Sequence, residues 1–162
     1  MDMRILATGD SSWTCDELAT AILRRLVQRY GPNLTMVHGG ENGVDESFNK
    51  ACKSLGIAVE VRLPNWPQTG LPTMGNKNRE LIKDGADLCI ALHRTIGRSQ
   101  RTLDCVRQAI QAGIPTFLIT DEQAVPSRLR TGDARLSGRA WSPRYRGHEQ
   151  LAIRTAAARG RL

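Results

Sequence analysis

His38-Gly39-Gly40-Glu41-Asn42-Gly43-Val44-Asp45 is the stretch on which the reading of this chain turns. It follows the apolar run Leu34-Thr35-Met36-Val37, which has the length of a short buried strand. It opens into residues 44–55, where Val44, Phe48, Cys52 and Leu55 recur at helical spacing before Gly56 ends the pattern. Glycines between a strand and a helix N-terminus let backbone N–H groups approach an anion, and the helix dipole favours negative charge there. The stretch therefore predicts a phosphate-bearing ligand, with Asp45 in the first helical turn reaching a sugar hydroxyl or a reacting centre. The plainer alternative is a tight strand-to-helix turn in which Asp45 caps the helix.

Outward from this point the pattern alternates. Arg4-Ile5-Leu6-Ala7-Thr8 predicts a first strand ended by Gly9. Thr14 and Glu17 have capping-box spacing, and Leu18, Ile22, Leu26 and Tyr30 give the following helix one apolar face, stopped at Gly31-Pro32. Ala58-Val59-Glu60-Val61 predicts a third strand, and a long proline-containing connection then runs to a helix opened by Asn76-Lys77-Asn78-Arg79. Leu88-Cys89-Ile90-Ala91-Leu92 predicts a fourth strand. A helix over residues 101–112 and a fifth strand over residues 114–119 follow. Short apolar strands alternating with helices predict a parallel sheet covered on both faces. Ligands of such sheets bind beyond the carboxyl ends of the strands, where the strand order reverses. The loops holding Gly9, Asp10, Ser11 and Trp13, the 38–45 stretch, the connection with Trp66, Gly75, Asn78 and Arg79, and the segment with Arg101, Thr102 and Asp104 all fall at that edge.

Composition sets limits. A chain of 162 residues fits one domain with a single substantial core. No apolar run approaches the roughly 18 residues of a membrane-spanning helix, so no membrane partner is expected. Cys15, Cys52, Cys89 and Cys105 are widely spaced within apolar patterns and read as reduced core residues of a cytoplasmic protein, not as a metal site. Through residue 122 the chain carries 14 Lys/Arg and 14 Asp/Glu; beyond it nine Arg face Asp133 and Glu149, which accounts for the whole net charge of +7. The chain thus divides into a neutral core, residues 1–122, and an Arg-rich extension, residues 123–162, packed on the core or on a second subunit. Arg128, Arg130, Arg135, Arg139, Arg144 and Arg146 make nucleic acid a candidate partner of that extension. Trp141 sits among them, and residues 149–159 have the composition of a last helix.

These residues resemble a known family, the YspA-related branch of the SLOG superfamily, whose Rossmann-like domains include the LOG phosphoribohydrolases and the DNA-processing protein A domain. The branch's T-G-S-R-x-W is similar to Thr8-Gly9-Asp10-Ser11-Ser12-Trp13, without the arginine, and its H-G-G-A-x-G-x-D to residues 38–45. Its P-x-x-W is similar to Pro64-Asn65-Trp66-Pro67. An asparagine-containing segment follows Gly75, with Lys77 where the family has arginine before its asparagine, here Asn78. The branch's G-T-x-D stands as Arg101-Thr102-Leu103-Asp104, so Arg101 replaces a glycine. The resemblance covers roughly residues 3–120. It implies a Rossmann-like three-layer sandwich with a five-stranded parallel sheet in the order 3-2-1-4-5, and a homodimer.

It also implies a nucleotide or nucleotide-derived ligand, ADP-ribose-like or a nucleoside phosphate. The residues expected to line its site are Gly9, Asp10, Ser11, Trp13, His38, Gly39, Gly40, Gly43, Asp45, Trp66, Gly75, Asn78, Arg79, Arg101, Thr102 and Asp104. No cofactor is implied. The catalytic glutamate of LOG enzymes corresponds to Cys105, so their chemistry does not carry over. A sensor or sequestering domain is the leading expectation. The alternatives are a hydrolase or transferase at the N-glycosidic bond of a nucleotide, with Asp45 and Asp104 as its carboxylates, and a binder of single-stranded DNA through the same edge and the Arg-rich extension.

Overall fold

The computed structural model describes residues 2–62, 74–123 and 125–137, with the side chains of residues 74–77 excepted. Trp66, Arg139, Trp141, Arg144, Arg146 and the helix expected over residues 149–159 lie outside the described residues. In chain order the elements are β1 (Met3–Gly9), α1 (Asp16–Tyr30), β2 (Leu34–His38), α2 (Val44–Leu55), β3 (Ala58–Val61), α3 (Met74–Ile82), β4 (Leu88–Leu92), α4 (Gln100–Gln111), β5 (Thr116–Ile119) and β6 (Ser127–Leu129). Single 3-10 turns precede α4, at Ile96–Arg98, and follow β6, at Ala134–Ser137.

The strands form one six-stranded sheet in the order β3-β2-β1-β4-β5-β6. The first five are parallel, in the order expected, with Ile5 beside both Met36 and Leu88. Order reverses between β1 and β4, which is where such a sheet opens a crevice at its carboxyl edge. Alternation along each strand sorts the core. Ile5, Ala7, Met36, Leu88 and Ile90 pack on one face with Leu23 and Leu26 of α1 and Phe48 and Cys52 of α2. Leu6, Val37 and Cys89 pack on the other with Leu81 of α3 and Cys105 and Ala109 of α4. Three layers result, with β1 and β4 buried on both sides. All four cysteines are buried and free.

Two details depart from the sequence reading. The capping box of Thr14 and Glu17 does not form: α1 starts at Asp16 after Cys15, and no side chain caps it. The Cys15 amide donates instead to Ser47 Oγ of α2 at 2.9 Å. The sheet also has a sixth strand, drawn from the stretch read as a basic extension. β6 runs antiparallel to β5, pairing Phe117 with Arg128. Its three residues bury only Leu129 deeply, too little apolar pattern to be visible in a sequence.

The segment after β6 is anchored by Arg135, whose guanidinium is buried. It forms a two-point pair with Asp133, Nε to Oδ1 at 3.0 Å and Nη2 to Oδ2 at 2.8 Å, and donates to Ser127 Oγ at 3.0 Å. Arg135 is therefore spent inside the fold and is not presented to a partner. Arg128 lies over the Phe117 ring at 5.5 Å, while Arg130 is exposed. Among the described residues no helix is long and apolar enough to cross a membrane.

Candidate functional site

The carboxyl edge is built by backbone closing on backbone. The Asp10 amide donates to Leu92 O at 3.0 Å, and the Asp10 carbonyl accepts from Trp13 at 3.3 Å and from Val44, the first residue of α2, at 3.1 Å. Two glycines permit this closeness. A Cβ on Gly9 would stand 2.3 Å from Leu92 O, and one on Gly43, where φ is +71°, would stand 2.4 Å from Asp10 O. These glycines join loop to loop; their lack of a side chain serves packing before it serves any ligand.

The glycine stretch after β2 is closed internally. His38 accepts the Gly40 amide at Nδ1, 3.0 Å, and its Nε2 faces Asn49 Oδ1 at 3.1 Å. Asp45 folds back from the first turn of α2, so that Oδ2 accepts the amides of Gly39 and Glu41, each at 3.2 Å. The carboxylate thus sits among the amides expected to cradle a phosphate. Only 2% of Asp45 is exposed, and its Oδ1 has no partner among the described residues. Burial drives its carboxyl up to about 6, against the pull of His38, Arg101 and the Gly39 amide.

A second carboxylate stands at the end of β1. Asp10 Oδ1 accepts both the Ser12 amide, 2.8 Å, and the Ser12 hydroxyl, 2.7 Å. Burial alone would raise this carboxyl, but the Ser12 bonds, with His93 and Arg101, hold it below its ordinary value. His93 directly follows β4 where His38 ends β2, and like His38 it accepts at Nδ1 an amide two residues on, that of Thr95 at 2.9 Å. Its Nε2 is 3.8 Å from Asp10 Oδ2. Burial lowers the proton affinity of His93, and Asp10 opposes that. His93 was not among the residues expected here. The repeated strand–histidine–turn pattern at residues 34–40 and 88–95 is the signal that marks it.

From the other side of the crevice, α4 begins at a Ser99 cap whose Oγ accepts the Thr102 amide at 3.1 Å and donates to Thr102 Oγ1 at 3.0 Å. Thr102 is fully buried and belongs to this cap. Arg101, in the first turn, reaches across to donate through Nη2 to the Gly9 carbonyl. Asn78 of α3 is 1% exposed and donates to Arg101 O at 3.1 Å and to Asp104 Oδ2 at 2.8 Å. The same Asp104 oxygen accepts from Gln108 at 2.8 Å. Asp104 and Asn78 are thereby a brace between α3 and α4.

The structure thus brings Gly9, Asp10, Gly43, Asp45 and Arg101 together, with His38, Thr102, Asn78 and Asp104 directly behind them. Ser11, Gly40 and Arg79 are exposed at the surface, and Gly75 lies in the first turn of α3. Trp13 instead packs into the core with the Arg94 guanidinium 4.4 Å over its ring. Trp66 is outside the described residues. No group of metal-ligating side chains occurs among the described residues.

Comparison with known proteins agrees with this architecture. Residues 3–68 match the family described as YspA, cpYpsA-related SLOG family. The Gene 61 protein of Mycobacterium phage D29 is 29% identical over 124 residues, spanning 74% of this chain and 98% of that protein. Among solved structures, TM1055, a structural-genomics target, is similar with a TM-score of 0.53 at 16% identity, over 72% of each chain. DNA processing protein A from Streptococcus pneumoniae is similar with a TM-score of 0.54 at 13% identity, over 85% of this chain and 54% of that one. At such identities the structural likenesses establish the fold.

Proposed function

We propose that this chain, whose residues 3–68 match the YspA-related SLOG family, binds a nucleotide or nucleotide-derived phosphate in the crevice between β1 and β4, as a sensor or sequestering domain. One observation carries this reading. The Arg101 guanidinium lies across the point where strand order reverses, bonded to the Gly9 carbonyl, and no carboxylate pairs with it among the described residues. A cation held there, beside the N-termini of α2 and α4, favours an anion through charge and dipole together.

The same geometry reassigns the work within the site. Because Asp45 and His38 occupy amides of the glycine stretch, phosphate recognition falls to Arg101 and the first turn of α4. Arg101, which departs from the family's glycine, is thus a replacement for that contact. Asp104, committed to Asn78 and Gln108, supports the site as a brace.

The test is calorimetric titration of the full chain with AMP, ADP-ribose and cyclic nucleotides. Removing a charge-assisted contact weakens binding by roughly ten- to a hundredfold, and Arg101→Ala should do so with an unchanged circular dichroism spectrum. Binding that survives the substitution undiminished, or no binding of any nucleotide, would overturn the reading.

One observation favours a second reading. A carboxyl at about 6, as at Asp45, has the proton affinity of a general acid or base. Free base or ribose phosphate released from AMP or ADP-ribose, and lost in Asp45→Asn, would establish glycosidic-bond hydrolysis in place of simple binding.

A further inference from the structure

Asp10 has features that a turn aspartate does not need. Its backbone is fixed at both amide and carbonyl, and one carboxylate oxygen, Oδ1, is saturated by Ser12. The other, Oδ2, has His93 Nε2 at 3.8 Å, beyond hydrogen-bond reach, and the side chain keeps 21% of its surface exposed. His93 is itself locked: with Nδ1 accepting the Thr95 amide, the ring proton sits on Nε2 and faces Asp10. The result is a rigid carboxylate with one acceptor oxygen open at the crevice, in the field of Arg101 from the opposite wall. Asp10 and Arg101 form no ion pair among the described residues. An anion site and a hydrogen-bond acceptor are thus held side by side and left uncombined.

We propose that Asp10 accepts a hydrogen bond from a sugar hydroxyl of the ligand whose phosphate Arg101 holds, so that the crevice selects ribose phosphates over their deoxy counterparts. His93 acts as a positioning residue for that carboxylate. This inference rests on the nucleotide reading above and names the part of the ligand that is discriminated. A ligand ammonium is the competing occupant for a carboxylate, but it would enter the field of the Arg101 guanidinium, which a neutral hydroxyl does not oppose. Only one oxygen is open, which suits a single hydroxyl donor from the sugar.

A site built to accept a hydroxyl rejects the analogue that lacks it, because its own polar group is then buried unpaired. The experiment titrates the full-length protein with AMP, 2′-deoxy-AMP, 3′-deoxy-AMP and inorganic phosphate by calorimetry. The wild type should bind AMP about tenfold or more tighter than one of the deoxy analogues. Asp10→Asn should abolish that preference while leaving the affinity for the disfavoured analogue within about twofold. His93→Gln should reduce the preference without abolishing binding, and near-native unfolding midpoints verify that both variants fold.

Equal binding of AMP and both deoxy analogues by the wild type, or an undiminished preference in Asp10→Asn, overturns this inference and leaves the nucleotide reading standing. Tight binding of AMP that needs Asp10 but shows no dependence on either hydroxyl overturns it too. No binding of any phosphate compound overturns both.

Discussion

Asp45 offers the sharpest test of the physical reasoning, because its burial and its hydrogen bonds pull in opposite directions. Desolvation penalises the ionised carboxylate; the amides of Gly39 and Glu41 at 3.2 Å favour it, as do the fields of His38 and Arg101. Burial wins, raising the carboxyl from 3.8 to about 6. A carboxyl whose proton affinity is higher in the fold holds an extra proton there. Its contribution to stability is fully present below pH 3.8 and is lost as the pH rises to about 6. Each tenfold change in proton affinity is worth about 1.36 kcal/mol, so the rise from 3.8 to about 6 amounts to about 3 kcal/mol.

Asp45→Asn removes this titration. The assay is urea unfolding of both proteins at intervals from about pH 4 to about pH 7, scored as the difference in unfolding free energy. The difference cancels the other carboxylates, among them Asp10, Glu60 and Asp133, which are held low and titrate in the opposite sense. Relative to the wild type, Asp45→Asn should gain about 2 kcal/mol across that window, the rest of the total lying below it, whatever its offset at the acid end. A flat difference would show that amides and burial balance. A difference falling with pH would show that the amides win and that Asp45 is an ordinary ionised cap.

Two further outcomes follow from the packing. Gly43→Ala combines a positive φ with a Cβ 2.4 Å from a backbone oxygen, whereas Gly56→Ala has a φ of +69° and nothing within 4 Å. Gly56→Ala should therefore cost on the order of 1 kcal/mol, and Gly43→Ala clearly more, together with weakened AMP binding; equal costs in thermal unfolding would refute the close contact of the β1 loop with α2. Arg135→Ala leaves the half-buried Asp133 without its guanidinium partner and should cost roughly 1.5–3 kcal/mol in the same unfolding assay. A cost below about 1 kcal/mol would place that ion pair with weak surface pairs.

Much of the fold was legible because it follows from local pattern. The apolar runs at Ile5, Met36 and Ile90, and the helical spacing of Val44, Phe48 and Cys52, require no partner to be recognised. Gly9, the last residue of β1, and Gly39, just after β2, marked the ends of those strands. What could not be read was the destination of each polar group. Asp45 looked like a ligand contact or a cap; only the folded loop shows its carboxylate among its own amides. Asp104 looked like a second reacting carboxylate, and the approach of α3 made it the acceptor for Asn78. Arg135 looked like part of a basic surface, yet a short turn buries it against Asp133.

His93 illustrates the boundary most plainly. Its position after β4 is a matter of sequence, but its relation to Asp10 depends on β1 and β4 lying side by side, a pairing between segments more than eighty residues apart. The sequence by itself determined the alternation of strands and helices, the layers they form and the edge that carries the polar loops, because periodicity and backbone preference act over a few residues. Tertiary structure alone decided which charges are spent within the protein and which stay open, because burial and hydrogen-bond closure depend on neighbours that only the folded chain supplies. Asp45 and Arg135 fall on one side of that division, Asp10 and Arg101 on the other.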